Sequence, residues 1–295
     1  MKSIHKTTRG TAILGSVEEF MSSNRAKTIK KKVQLIFTSP PFPLNRKKKY
    51  GNYTGEEYKN WLSGLAIDFK KLLKPNGSIV IEVGNSWVSG KPIMSTLAIE
   101  SLLNFLEAGN FNLCQQFICY NPARLPTPAQ WVNIDRIRVK DSFTHVWWMS
   151  SSDRPKADNR KVLNEYSDSM KQLLSSKKYN YGKRPSGHNI GKTSFLKNNN
   201  GSIPSNVIIL PNTQSNSIYQ SYCKGKNLTI HPARMQPELA EFFIKFLTSP
   251  KELVFDPFAG SNTTGFVAEK LKRRWLSVEV NEEYIKGSIG RFKEF

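Results

Sequence analysis

The stretch LVFDPFAGSNTTG at residues 253–265 decides the fold of this chain. It opens with an apolar run that predicts a buried strand ending at Asp256, and residues 266–271 behind it have a helical pattern. Its small residues, Ala259 to Ser261, let a ligand approach the backbone at the carboxyl end of the strand, where open α/β sheets bind cofactors. The loop matches neither the lysine-bearing triphosphate loop nor the GxGxxG dinucleotide loop.

The next strand, predicted at residues 275–280, adds a carboxylate to this loop. Glu279 lies 19 residues after Gly260, near the end of that strand, where an acidic side chain can bind both hydroxyls of a ribose. The loop and the acid together predict a cofactor that contains a nucleoside. The alternative is an ordinary strand, turn and helix whose loop residues only cap the helix.

Strands alternate with helices in the rest of the chain. Short apolar runs predict further strands, and apolar residues at helical spacing predict helices over residues 58–73 and 239–247. The strands are expected at residues 12–14, 33–37, 78–84, 113–120 and 144–150. This alternation predicts an α/β fold with a mostly parallel sheet that helices cover on both faces.

A second motif, TSPPF at residues 38–42, follows the strand of residues 33–37. Pro40 and Pro41 each fix their own φ and lack an N–H, so the turn presents backbone carbonyls without competing donors. Such acceptors suit a substrate that carries an amino group, and Phe42 offers a flat face for a ring. An isolated SPPF is a common loop; together with the first motif it predicts a site.

The composition indicates a polyanionic partner. Lys and Arg number 44 against 23 Asp and Glu, a net charge of +21, which favours nucleic acid. Eleven basic and three acidic residues lie between positions 154 and 197, interleaved with aromatic residues. This arrangement suits DNA contact, and the alternative is a solvated loop.

Other classes of protein are excluded. No apolar run reaches the ~18 residues of a membrane span, and the first residues lack the apolar stretch of a signal peptide. The cysteines, Cys114, Cys119 and Cys223, form no CxxC pair, and the four histidines add no zinc-like spacing. We therefore expect a cytoplasmic protein with no metal and no disulfide.

The two motifs together resemble the amino-methylating DNA methyltransferases that use S-adenosylmethionine. Their order, with the catalytic motif first, is similar to the circularly permuted β group of that family. The resemblance implies a doubly wound, mostly parallel, seven-stranded sheet with a loop-rich target-recognition insert. It divides the chain into a catalytic half (residues 1–152), a target-recognition region (153–205) and an S-adenosylmethionine-binding half (206–295).

The resemblance also assigns the site residues. The catalytic residues are Ser39, Pro40, Pro41 and Phe42. The cofactor-binding residues are Asp256, Phe258, Ala259, Gly260, Ser261, Asn262, Thr263 and Glu279, with residues 231–237 closing the pocket from the other side. Gly15-Ser16 stands where many relatives have Gly-Asp, so Ser16 is not assigned to the cofactor.

The expected reaction is methylation of the N4 amino group of a flipped-out cytosine in double-stranded DNA. Family members with Ser before Pro-Pro act mostly on cytosine N4, so Ser39 favours N4 by resemblance. Methylation at cytosine C5 is excluded, because the family that performs it presents a cysteine after a proline and no cysteine here follows one. An N6-adenine enzyme, an inactive DNA-binding protein and an RNA or protein methyltransferase are the alternatives.

The expected DNA contacts lie in two segments. Arg46, Lys47, Lys48 and Lys49 follow the catalytic turn, and Arg184 and His188 lie in the insert. A monomer is expected, because each strand of a palindromic site can be methylated in a separate event. The family resemblance further implies the modification enzyme of a restriction-modification system, with a restriction endonuclease that acts independently.

Overall fold

The fold is built on one large sheet in a computed structural model that describes residues 1–42, 53–211 and 217–293. Nine of the described strands form this sheet, and β7 and β8 pair only with each other. The strands are β1 (Lys2–Lys6), β2 (Gly10–Leu14), β3 (Val33–Thr38), β4 (Leu73–Gly84), β5 (Asn112–Tyr120), β6 (Phe143–Ser150), β7 (Gly182–Lys183), β8 (Asn189–Ile190), β9 (Val207–Ile209), β10 (Leu253–Asp256) and β11 (Arg274–Glu279).

The sheet order is β1-β2-β11-β10-β3-β4-β6-β5-β9. The central strands β2, β11, β10, β3 and β4 run parallel to one another. β6 is antiparallel to both of its neighbours, and β1 is antiparallel to β2. The expected α/β fold with a mostly parallel sheet is therefore confirmed.

The number of strands differs from the expected seven. The seven central strands, from β2 to β5 in the sheet order, are flanked by β1 on one edge and β9 on the other. Both added strands are short and partly exposed, so their sequences lack the continuous apolar pattern by which the buried strands were predicted.

Nine α-helices occur in the described residues. They are α1 (Val17–Ser22), α2 (Asn24–Thr28), α3 (Gly55–Leu72), α4 (Leu97–Gly109), α5 (Asp168–Ser176), α6 (Ile218–Gly225), α7 (Pro237–Leu247), α8 (Thr263–Lys270) and α9 (Glu282–Ser288).

Helices cover both faces of the sheet. One core packs α1 to α4 against residues such as Ile36 and Phe255, and the other packs α7 and α8 against Leu35, Phe37 and Val254. Neighbouring residues of β3 therefore belong to opposite cores, as the two-residue period of a strand requires. This arrangement makes the sheet doubly wound, and the carboxyl ends of its central strands are left for a site.

The helix α3 shows why the predicted helices form. Its apolar residues recur at helical spacing on the buried face, with Glu56 and Glu57 in the first turn and Lys70 and Lys71 in the last. Both charge pairs complement the helix dipole. The strand β4 follows this helix directly, and its residues 74–77 bulge out of the pairing with β3.

Residues 158–205 form a second compact unit, separate from the unit of residues 1–157 and 206–295. Within it, the Ser167 hydroxyl caps the start of α5 by accepting from the Met170 N–H. A turn at residues 184–188 closes the β7–β8 hairpin. The unit falls inside the interval predicted for target recognition, and that role stays a prediction.

Among the described residues, no helix is both long enough and apolar enough to cross a membrane.

Candidate active site

The two sequence motifs meet at one edge of the sheet. β3 and β10 are parallel neighbours, so the residues that follow them lie side by side. The Thr38 hydroxyl donates a 2.6 Å hydrogen bond to Asp256 Oδ1 across 218 residues of chain. The two loops border a cavity of about 820 Å³. Many of the site residues predicted from the sequence line this cavity. They are Ser39, Pro40, Pro41, Phe42, Asp256, Phe258, Ala259, Gly260, Ser261, Thr263 and Glu279.

The turn after β3 is held from behind. Pro40 is buried and Ser39 is half-buried. The Ser39 hydroxyl donates to the Glu82 backbone carbonyl at 3.4 Å, so its lone pairs stay available to accept a hydrogen bond. The Phe42 ring lies on Gly84, where a Cβ would overlap it. The glycine at the end of β4 thus makes room for the aromatic residue of the motif.

A carboxyl group missed by the sequence analysis stands behind Ser39. Glu82 lies on β4, and its Oε1 accepts a 2.9 Å hydrogen bond from the Thr144 hydroxyl. Burial raises the pKa of Glu82, and hydrogen bonds from Thr144 and Ser39 lower it. The available signal was a single acidic residue between Ile81 and Val83 in an otherwise apolar strand, since such a residue is seldom buried without a partner.

The cofactor loop is closed by Glu279. Its two carboxylate oxygens accept backbone N–H bonds from Gly260 at 2.7 Å and from Asn281 at 2.9 Å. Burial raises the pKa of Glu279, and these bonds oppose that rise. A carboxylate oxygen has two lone pairs, so each can accept a further donor from the cavity.

The backbone turn at Gly260 lies beside this carboxylate. Gly260 has a φ of +51°, and a Cβ there would lie 2.9 Å from His231 Nε2. The residue must therefore be glycine for two reasons, its left-handed conformation and the close approach of His231. His231 lines the cavity, and its ring meets Tyr284 edge-on at 4.6 Å. Burial lowers the pKa of His231 to about 4, so its ring is neutral at pH 7.

Asn262 does not line the cavity, unlike its neighbours in the predicted set. It is buried, and its Oδ1 accepts a 2.7 Å hydrogen bond from the Ser277 hydroxyl. It also has a positive φ of +52° as the N-cap of α8, a conformation that asparagine tolerates better than most residues. Its geometry is that of a residue that shapes the loop.

An arginine outside the predicted set braces the same loop. The buried Arg291 donates from Nε to the Ser261 carbonyl at 3.0 Å and from an Nη to the Ser261 hydroxyl at 3.1 Å. Its guanidinium lies 4.9 Å from the centre of the Tyr219 ring. Burial lowers the pKa of Arg291 to about 10, so the group stays charged at pH 7. Arg291 belongs to neither sequence motif, because it lies 30 residues from Ser261 in the chain.

Further lining residues come from loops that the motifs do not include. Asn85 Oδ1, Ser86 Oγ and His231 Nδ1 are buried side-chain atoms without a hydrogen-bond partner among the described residues. All three residues border the cavity, so side chains with unsatisfied polar atoms form part of its wall. Ser16 also borders it, but its hydroxyl caps α1 by accepting from the Glu19 N–H.

An aromatic wall forms another side of the cavity. The Trp61 ring lies 5.4 Å from both Tyr53 and Phe258, and all three residues line the cavity. Trp61 is fixed by a 2.7 Å hydrogen bond from its Nε1 to Glu18. Flat apolar surfaces of this kind can hold a heteroaromatic ring by stacking.

The predicted DNA contacts are placed only in part. Arg46, Lys47, Lys48 and Lys49 lie outside the described residues. Arg184 and His188 both belong to the turn of the β7–β8 hairpin, where the Arg184 N–H donates to the His188 carbonyl at 2.7 Å. The Arg184 guanidinium also donates to the Asn180 carbonyl at 3.0 Å. His188 is exposed.

In the described part of the chain, no three His, Cys, Asp or Glu side chains are grouped so that they could hold a metal ion.

The carboxyl group of Asp256 supplies a test of this geometry. Burial raises its pKa to about 6, while the Thr38 hydroxyl and the Phe258 N–H oppose the rise. The folded protein therefore binds the proton of Asp256 more tightly than the unfolded chain does. The protonated Asp256 contributes fully to the free energy of unfolding below about pH 4, and this contribution is lost as the pH rises to about 6. The Asp256→Asn variant should lack this loss, which amounts to about 3 kcal/mol at most.

Urea unfolding at a series of pH values measures the effect. The difference between the unaltered protein and Asp256→Asn isolates this group, because other titrations, including that of His231, are common to both. Asp153→Asn, at an exposed aspartate, is the matched control. Equal free energies of unfolding for Asp256→Asn and the unaltered protein, at every pH in this window, would contradict the assignment.

Comparisons with known proteins place the chain among DNA methylases. A family model described as DNA methylase matches residues 33–290. The type II methyltransferase M.PvuII of Proteus hauseri is 43% identical over 293 residues, 99% of this chain and 86% of that protein. The orphan methyltransferase M.BamHII of Bacillus amyloliquefaciens is 26% identical over 267 residues, 89% of each chain. The solved structure of PvuII DNA methyltransferase (cytosine-N4-specific) has a TM-score of 0.78 at 36% identity, over 99% of this chain and 89% of that one. The family expected from the two motifs is confirmed.

Proposed function

This chain belongs to the DNA methylase family, and from this premise we propose that it transfers the methyl group of S-adenosylmethionine to the N4 amino group of cytosine in double-stranded DNA. The observation that carries the proposal is the junction of the two motifs. The Thr38–Asp256 hydrogen bond joins an acceptor-rich turn to a loop shaped for a nucleoside, so an amino group and a methyl donor can meet in one cavity.

The similarity to the PvuII methyltransferase supports the choice of N4. The PvuII enzyme is described as cytosine-N4-specific and matches 99% of this chain. Ser39, which precedes the two prolines, agrees with that specificity. An N6-adenine enzyme is the alternative, because both reactions methylate an exocyclic amine and need the same kind of acceptors.

The cavity fits S-adenosylmethionine by its own chemistry. Glu279 has lone pairs left for the ribose hydroxyls, and Gly260 leaves space where a Cβ would stand. Asn85 and Ser86 add polar side chains to the cavity wall, and Phe258 with Trp61 offers stacking surfaces for the adenine. When bound, the cofactor supplies an electrophilic methyl group on a sulfonium sulfur.

The turn after β3 would prepare the base for attack. The exocyclic nitrogen of cytosine is a poor nucleophile because its lone pair is conjugated with the ring. By accepting its two N–H bonds, the Pro40 carbonyl and the Ser39 hydroxyl localise that pair on nitrogen and stabilise the positive charge that grows there. The N–C bond forms as the C–S bond breaks, and one amino proton then leaves to water.

The base must leave the duplex to reach this turn. Flipping removes its stacking and pairing in DNA, and Phe42 supplies a replacement surface. The ring is already fixed by its contact with Gly84, so stacking on it costs little side-chain entropy.

We further infer the remaining partners. The unit of residues 158–205 reads the target, with Arg184 and His188 as contacts, while Arg46 to Lys49 bind backbone phosphates. The enzyme acts as a monomer in the cytoplasm, as the modification partner of an independently acting restriction endonuclease.

Nucleoside mass spectrometry tests the proposal. The purified protein is incubated with S-adenosylmethionine and unmethylated genomic DNA, which is then digested to nucleosides. N4-methylcytosine is the expected product. N6-methyladenine would overturn the choice of base, and the absence of any modified base, with cofactor binding verified, would overturn DNA as the substrate.

A further inference from the structure

The loop between β5 and β6 holds four apolar side chains in solvent. We name them the apolar tip: Leu125, Ile134, Ile137 and Val139, which are 75%, 69%, 62% and 87% exposed. Scattered exposed apolar residues are common, but four within one loop of residues 121–142 indicate a contact surface.

This exposure is imposed by the structure of the loop. Lys140 Nζ donates to the Pro122 and Arg124 carbonyls, both at 3.1 Å. The Asn133 side chain donates to the Pro126 carbonyl at 3.3 Å. A loop tied across its own base in this way holds its side chains outward, because they cannot turn inward without breaking these bonds.

The loop stands beside the catalytic cavity. β5 and β4 are both antiparallel to β6, so they end at the same edge of the sheet. Arg124 lines the cavity, and so does Trp87, whose ring meets the Trp131 ring edge-on at 6.1 Å. The base of the loop is therefore part of the cavity wall, so we expect its tip to face DNA that delivers a base to the cavity.

The charge of the loop fits the same partner. Residues 121–142 contain four basic side chains and two acidic ones, a net charge of 4 − 2 = +2. Arg136 and Lys140, which flank members of the apolar tip in sequence, are exposed. Cations next to apolar side chains match a duplex, which presents phosphates outside and stacked bases inside.

We propose that the apolar tip is a wedge that enters the base stack when the target base is extruded. It fills the gap beside the orphaned partner base, and this prevents the target from returning while the methyl group is transferred. The wedge depends on the DNA methylase activity, but it does not depend on whether the flipped base is cytosine or adenine.

Single-turnover methylation tests the wedge. The target site of the unaltered protein is first mapped on genomic DNA, whichever base is modified. Two duplexes with this site are then compared, one fully paired and one with an abasic position opposite the target base, where no pair has to be broken. The variants are Val139→Ser and the double variant Ile134→Ser/Ile137→Ser.

Each variant should be slower than the unaltered protein by at least about 10-fold on the paired duplex and by less than about 2-fold on the abasic one. Leu113→Ser is the matched control, since Leu113 is an exposed apolar residue near the other end of β5. It should match the unaltered protein on both duplexes.

Three results would overturn the wedge. An unchanged rate on the paired duplex would show that the tip has no part in flipping. An equal loss on both duplexes would show a general loss of DNA binding. A change in sedimentation of the variants without DNA would show that the tip contacts a second copy of the chain.

Discussion

Methyl transfer should fall by at least about 100-fold in Ser39→Ala, because one of the two acceptors for the amino protons is lost. Pro40→Ala should lose activity to a similar degree, since alanine frees φ and the residue 40 carbonyl is no longer held rigidly in place. The affinity for S-adenosylmethionine should stay within about 2-fold in both variants, because the loop after β10 and Glu279 are unchanged. Single-turnover rates at saturating cofactor and a separate cofactor titration measure the two effects.

Two controls separate chemistry from folding. Ser39→Thr keeps a hydroxyl at the same position and should recover part of the rate. Ser63→Ala removes a hydroxyl that donates to the Lys59 carbonyl within α3 and should have no effect. Full activity in both Ser39→Ala and Pro40→Ala would end the assignment of the turn.

The affinity for S-adenosylmethionine should fall by about 5- to 150-fold in Glu279→Ala, equivalent to about 1–3 kcal/mol. The substitution removes the acceptor for the ribose hydroxyls and also releases the Gly260 and Asn281 N–H groups from the carboxylate. Isothermal titration measures this loss directly. Glu282→Ala, at a surface glutamate bound to Lys286, is the control.

Binding of nucleosides shows whether the ribose is the group that Glu279 binds. The unaltered protein should prefer adenosine to its 2′-deoxy and 3′-deoxy analogues. In Glu279→Ala this preference should disappear, because the partner of the missing hydroxyl is gone. A preference of equal size in both proteins would mean that Glu279 only supports the loop.

The two predicted motifs lie together because of a property of parallel sheets. β3 and β10 are apolar runs that end in unusual turns, and parallel neighbours end at a common edge. Their motifs therefore meet because the two strands are adjacent, a pairing that the structure supplies. The lining of the cavity by Ser39 to Phe42, and by all the predicted cofactor residues except Asn262, agrees with this reasoning.

Other parts of the site depend on distances that a local pattern does not contain. The Glu82 backbone carbonyl accepts from the Ser39 hydroxyl, and the Arg291 side chain donates to Ser261; each pair lies far apart in the chain. Asn262 was assigned by its place in the motif, but its side chain is buried and bonded to the Ser277 hydroxyl. The edge strands β1 and β9 were missed because partly exposed strands carry a weak apolar pattern.

The place of β3 in the sheet also determines when the enzyme becomes active during its synthesis. All six residues of β3 are buried, yet one of its two neighbours, β10, is synthesised only after β4 to β9. Until then a hydrophobic strand has an open edge, which favours aggregation and recruits chaperones. Chains that have not reached β10 lack both this strand and Glu279, so we expect that they neither bind cofactor nor methylate DNA, and that activity starts only after β10 and β11 join the sheet.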